Sequence, residues 1–201
     1  MYQMSFKLIK RFEEEIANYF AAPYAVAVDC CTHSIELCLR YNKVNKFTIP
    51  RRTYLSVAFL GDKLDIDWDW KDEKWIDYYY LGGTNIIDAA VLWESNSYIP
   101  NTFMCLSFQF QKHLSLGRGG MILTDDKNAR NALKRMSYDG RNPEIPWREQ
   151  NIESIGYHYY MTPDKAILGL KKFKGAILKV PKTITYKTYP DLTKKKIFNV
   201  R

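Results

Sequence analysis

The chain has 201 residues, a formal net charge of +8, and 46% hydrophobic and 15% aromatic residues. This is enough apolar material to bury a core, and it excludes a disordered chain. No apolar run approaches the roughly 18 to 20 residues of a membrane span, and the first residues lack a signal-peptide core, so a cytoplasmic protein is expected.

The positive charge is local. Residues 171–201 hold ten basic residues and a single acid, Asp191, which leaves the remainder close to neutral. A first unit over 1–170 is therefore set apart from a basic C-terminal tail over 171–201. The tail reads as a solvated or subunit-contacting segment, with a surface for phosphates or acidic lipid as the alternative. The body shows no basic face or nucleic-acid recognition motif, so nucleic-acid binding is not expected. Cys30, Cys31, Cys38 and Cys105 show neither Cys-x-x-Cys pairing nor zinc-ligand spacing, so reduced thiols and no metal site are expected.

Phe6, Ile9, Phe12, Ile16 and Phe20 recur at helical spacing around Glu13-Glu14-Glu15, which predicts an amphipathic helix ending before Pro23. Tyr24 to Val28 reads as a buried strand. Asp29 turns the chain, and a helix starts at Thr32-His33-Ser34 and runs to Leu39. Strand, tight turn and helix in succession point backbone N–H groups at an anion. Phe47 to Ile49 is a further strand and Thr53 to Leu60 a short helix. Residues 61–83 are ambiguous, with strands expected near Trp75 to Tyr80 and Asn85 to Ile87. Met104 to Ser107 and Gly120 to Thr124 are the last expected strands. Asp125 is the expected cap of a helix over Lys127 to Met136. Thr162-Pro163-Asp164 starts a final helix with Ile167, Leu170 and Phe173 as its apolar stripe. Alternating strands and helices predict an α/β fold with a mostly parallel sheet.

Lys112 follows the strand ending at Ser107, and Asp88 closes the apolar pair Ile86-Ile87. A loop lysine and a strand-end carboxylate are what a pyridoxal phosphate enzyme needs. The amine forms a Schiff base, and the carboxylate keeps the pyridine nitrogen protonated. The glycines of Gly117-Arg118-Gly119-Gly120 lack the Lys-Ser/Thr ending of a nucleotide P-loop and read as a hairpin behind the lysine loop.

In chain order these segments resemble the DegT/DnrJ/StrS sugar aminotransferases, which are fold type I pyridoxal phosphate enzymes. Phe12-Glu13 with Tyr24-Ala25-Val26-Ala27-Val28 is similar to the family's opening helix and strand. Cys30-Cys31-Thr32 stands at its Ser-Gly-Thr phosphate turn, and Pro50 with Thr53-Tyr54 at its Pro-x-x-Thr-Phe. Asp88-Ala89-Ala90 resembles Asp-Ala-Ala. Ser107-Phe108 to Lys112, then Gly117-x-Gly119-Gly120, resembles Ser-Phe-x-x-x-Lys and Gly-x-Gly-Gly. Gly156-Tyr157-His158-Tyr159 and Met161-Thr162 resemble its Gly-Tyr-Asn-Tyr-Arg-Met-Thr/Ser.

The resemblance implies the three-layer large domain of fold type I, with the small C-terminal domain largely missing. It implies pyridoxal 5'-phosphate as cofactor, with Lys112 as the Schiff-base lysine and Asp88 against the pyridinium. Tyr54 would stack on the ring, while Thr32, the backbone amides of Thr32 and His33, and Ser107 would hold the phosphate. His158 takes the place of an asparagine that reaches the phosphate of a neighbouring subunit, so a homodimer is implied. The implied reaction moves an amino group from an amino acid donor, expected to be glutamate, to a nucleotide-linked keto-sugar in amino-sugar and O-antigen biosynthesis. The chain departs from the pattern at Val91, Tyr160 and Cys31, where the last puts a β-carbon at the phosphate turn. Two alternatives stand beside this: a degenerate relative kept for binding or assembly, and a pyridoxal-dependent sugar dehydratase. Lys112 argues against the second, since some such enzymes carry histidine there.

Overall fold

The computed structural model describes residues 2–198, with side chains from Phe6 onward. Helix α1 (Tyr2–Phe20) is followed by strand β1 (Tyr24–Val28), helix α2 (Cys31–Tyr41), strand β2 (Lys46–Pro50), helix α3 (Leu55–Leu64) and strand β3 (Asp67–Lys71). Strands β4 (Tyr79–Tyr80), β5 (Ile86–Asp88), β6 (Phe103–Ser107) and β7 (Gly120–Thr124) come next, then helices α4 (Lys127–Ser137) and α5 (Pro163–Ile177). Short 3-10 turns at Tyr186–Thr188, Leu192–Lys194 and Lys196–Phe198 end the described chain.

The main sheet has five strands in the order β1-β7-β6-β5-β4. Its side chains alternate between two cores, as the two-residue period of a strand requires. Ala25, Ala27, Met104, Leu106, Met121 and Leu123 pack with α1 and α5 on one face. Val26, Val28, Phe103, Cys105 and Ile122 pack with α2, α3 and α4 on the other. Both faces are covered, so the strands carry near-continuous apolar runs. The three-layer α/β class follows directly.

Pairing within that class is mixed. Strand β5 runs parallel to β6, but β1–β7, β6–β7 and β4–β5 are antiparallel. Strands β2 and β3 form a separate parallel pair. The short return between β4 and β5 forces those two to be antiparallel, whereas the irregular connection between β5 and β6 is long enough to cross over to a parallel neighbour.

Strand β1 lies at the sheet edge, and its free side is satisfied by side chains and loops. Buried Glu13 accepts from the Ala27 amide at 2.7 Å and also pairs with Lys134, while the Asp29 amide donates to the Tyr159 carbonyl at 2.8 Å. Helix α4 is capped by Asp126, whose carboxylate accepts from the Asn128 and Ala129 amides, and not by Asp125, which accepts from the Asn101 amide. The buried seam of α5 is Ala166, Gly169, Phe173 and Ala176, with Leu170 packed at its margin and Ile167 outside it. Small residues are required there because the Phe12 ring fills the space over Gly169.

Helix α5 runs across residue 170 to Ile177. The chain beyond it returns to the body. The Ile184 carbonyl accepts from the Asp77 amide, the Tyr186 amide donates to the Trp75 carbonyl and the Leu192 amide to the Arg51 carbonyl, with Leu192 and Phe198 buried in the second core.

Candidate active site

One cavity of about 1080 Å³ opens where the C-terminal ends of β1, β5 and β6 meet the N-terminus of α2. Thr32, His33, Tyr54, Asp88, Ser107 and Lys112 all line it. Six of the seven residues singled out from the sequence therefore come together, from segments separated by as many as 80 positions (Thr32 to Lys112). The seventh, His158, does not line it. Its exposed ring pairs with Asp139 at 3.2 Å and packs edge-on against Tyr160.

Asp88 ends β5 with its carboxylate buried at the pocket floor. Oδ2 accepts from the Tyr79 hydroxyl at 2.6 Å and Oδ1 from the Ala90 amide at 3.0 Å. Burial pushes the Asp88 carboxyl up, opposed by these two hydrogen bonds and by the positive charge of Lys112. Lys112 lies on the loop after β6, its amide donating to the Gln109 carbonyl at 2.8 Å. Tyr54 stands at the start of α3 and is 61% exposed at the pocket wall, free to cover a flat ligand.

At the anion end, the Thr32 and Ser56 hydroxyls are 2.6 Å apart. Two features there could not be read from spacing. Cys31 turns its thiol toward the Cys105 carbonyl at 3.4 Å in the second core, away from the first turn's amides. Gly120 packs against the turn itself: a β-carbon there would sit 2.6 Å from the Cys30 carbonyl oxygen and 2.7 Å from the Cys31 amide nitrogen. Gly120 thus lets β7 approach the start of α2, while Gly119 packs against Phe108 and Met161.

His33 bonds Asp29 Oδ1 at 2.6 Å and stacks on Tyr159 with centroids 3.6 Å apart. Burial alone would lower its pKa, but the hydrogen bonds to Asp29 and Cys30 raise it to about 9. Arg118, at the pocket mouth, adds a 2.8 Å pair to Asp29 Oδ2. Ligand atoms of Asp29, Cys30 and His33 lie within 4.8 Å of one another. The same groups are joined by ion pairs, Asp29 bridging His33 and Arg118. Sequence reasoning missed Thr53, Tyr79, Arg118 and Tyr189, which line the same cavity. Arg118 could have been found between its glycines; Tyr79 and Tyr189 lie in stretches with no clear periodicity.

The sequence profile of the DegT/DnrJ/EryC1/StrS aminotransferase family matches residues 2–59 and 100–187, most of the chain. The chain belongs to this family. It is 26% identical over 175 residues to the uncharacterized protein MJ1066 of Methanocaldococcus jannaschii, covering 80% of this chain and 43% of that one. It is 22% identical over 219 residues to the spore coat polysaccharide biosynthesis protein SpsC of Bacillus subtilis, covering 83% and 56%. Its fold superposes on Spr1654 from Streptococcus pneumoniae in a PLP form with a TM-score of 0.71 at 16% identity, covering 85% and 60%. The chain spans about half the length of the curated relatives it matches. Asp88 lies in the unmatched stretch 60–99, and the fold, not the profile, brings it to Lys112.

Pyridoxal phosphate fits the residues present. Each Asp88 oxygen keeps a lone pair beyond its one hydrogen bond, enough to accept from a ring N–H. The close approach allowed by Gly120 brings the first amides of α2 to the same cavity as Lys112.

Proposed function

We propose that this chain is a pyridoxal phosphate-dependent aminotransferase that moves an amino group from an amino acid, glutamate in the first instance, to a nucleotide-linked keto-sugar. The observation that carries the reading is the convergence of Lys112 and buried Asp88 in one cavity at the N-terminus of α2. The family assignment and the polysaccharide role in SpsC's name support the sugar as acceptor.

When bound, the cofactor supplies an aldehyde that takes up the amino group and a ring that accepts an electron pair. The residues of the chain do the rest. Lys112 anchors the cofactor and, once released, holds and returns a proton as general base and acid. Asp88 supplies the negative charge facing the ring nitrogen. Thr32, Ser107 and the first amides of α2, including that of His33, offer donors to the phosphate, reinforced by the positive end of the helix. Tyr54 covers the ring. His158, exposed and outside the cavity, serves the partner's site in a homodimer.

Borohydride reduction of protein saturated with pyridoxal phosphate, followed by peptide mass mapping, is expected to mark Lys112. Glutamate-dependent amination of a nucleotide-linked keto-sugar is expected to vanish in Lys112→Ala with folding intact. Absence of any adduct at Lys112 at saturating cofactor sinks the reading. One observation favours a second reading, a relative that keeps the fold for binding alone. Thr188, Tyr189 and Lys195 of the C-terminal segment line the cavity where substrate would enter. That reading expects cofactor or sugar binding with no turnover for any donor.

A further inference from the structure

Strand β4 is only Tyr79–Tyr80, yet it places one phenol against the carboxylate that the proposed chemistry depends on. The Tyr79 hydroxyl donates to Asp88 Oδ2 at 2.6 Å, and Tyr79 and Asp88 are Cα partners in the β4–β5 register. The same hydroxyl contacts the Thr53 hydroxyl. A phenol has one proton, and here it goes to Asp88, so Thr53 must donate to the phenol oxygen. All three residues are buried. The result is an ordered chain, Thr53 to Tyr79 to Asp88, with every hydrogen pointing toward the carboxylate.

We propose that Tyr79, oriented by Thr53, is the positioning residue that keeps Asp88 ionised and turned toward the cofactor ring. The inference rests on the pyridoxal phosphate reading for its purpose, but not for its geometry. A buried carboxylate without donors takes up a proton, and a neutral Asp88 would supply no charge to a pyridinium. Besides Tyr79, the Ala90 amide and the charge of Lys112 favour the ionised form. The titratable groups that feel Asp88, Tyr79 itself included, are the Cys31 and Cys105 thiols and the Tyr79 and Tyr189 phenols, from α2, β6, β4 and the C-terminal segment. Burial pushes all four up, so they stay neutral and neither offset nor add charge near pH 7. Tyr79 lies in the stretch 60–99 that the family profile leaves unmatched. The chain therefore draws the carboxylate's partner from its own irregular segment.

The test is a carboxyl-carbon NMR titration of aspartate-labelled full-length protein without added cofactor, with Asp88 assigned by its loss in Asp88→Asn. In Tyr79→Phe, which keeps the buried ring, the Asp88 midpoint is expected to rise by about one pH unit or more, a tenfold change in its ionisation constant. Pyridoxal phosphate affinity, read by absorbance, is expected to weaken in the same variant, most at the pH values where Asp88 takes up its proton. Thr53→Val should shift the midpoint in the same direction by less, and it decides the matter if Tyr79→Phe does not fold. A lower melting temperature with an unmoved Asp88 midpoint would mean a merely structural phenol and overturns the proposal. A midpoint that moves in a protein that binds no pyridoxal phosphate keeps the carboxylate role and overturns the functional reading instead.

Discussion

His33 shows how a single residue changes meaning once its neighbours are known. By sequence it is an amide donor at the start of a helix. In the fold the ring is pinned between Asp29 and Tyr159 and titrates at about 9, because hydrogen bonds to Asp29 and Cys30 outweigh the opposing effect of burial. The folded value lies above the ordinary value near 6.5, so the cluster's stabilisation is complete below about pH 6.5 and is lost as pH rises through about 9. His33→Gln is expected to remove this dependence: urea midpoints measured from pH 6 to 10 should fall across that window in the wild type and run flatter in the variant. Unchanged slopes in both would show that the Asp29 pair does not carry the effect. Lys112 and Asp88 were singled out on a loop and strand-end pattern, and the fold brings both to one cavity.

Among elements, the long periodic ones were readable with their bounds and the short ones only by their place in the chain. The α1 stripe follows the expected spacing, with Ile9, Phe12, Ile16 and Phe20 buried, because a helix that covers a sheet must repeat its apolar face every turn. Strand β4 falls inside the run expected as a strand near Trp75 to Tyr80, but with no period to mark its bounds. Only two residues long, it owes its conformation to pairing with β5 and to the Tyr79–Asp88 hydrogen bond. The cap of α4 moved from Asp125 to Asp126 because either aspartate suits the pattern, and the neighbouring loop claims Asp125 through Asn101. The join between β7 and α2 is also a tertiary matter. Gly120→Ala would press a methyl group onto the Cys30–Cys31 backbone, and overpacking of this kind costs about 1–3 kcal/mol. Urea unfolding should show a loss of that size, and pyridoxal phosphate affinity should fall with it. A variant as stable as wild type would mean that the start of α2 moves freely.

At the scale of the whole molecule, the C-terminal segment is part of the body. It carries most of the chain's excess positive charge, yet Leu192 and Phe198 are buried in the second core and Tyr189 reaches the cavity. Leu192→Ala is expected to cost about 2–5 kcal/mol, as for other buried leucines, and to speed proteolysis after Ile177. If neither stability nor cleavage changes, the segment is not anchored. Among the described residues no helix is long and apolar enough to cross a membrane. The sequence by itself determined the α/β class and the longer helices and strands, and it pointed to the lysine, carboxylate and hydroxyls that the fold brings to one cavity. Periodicity and residue chemistry are local properties, carried by neighbours along the chain. Only the tertiary structure decided the mixed strand pairing, the return of residues 184–198 over the cavity, and the Thr53–Tyr79–Asp88 chain. These depend on which surfaces remain to be covered and which buried polar atoms still need partners once the layers have packed.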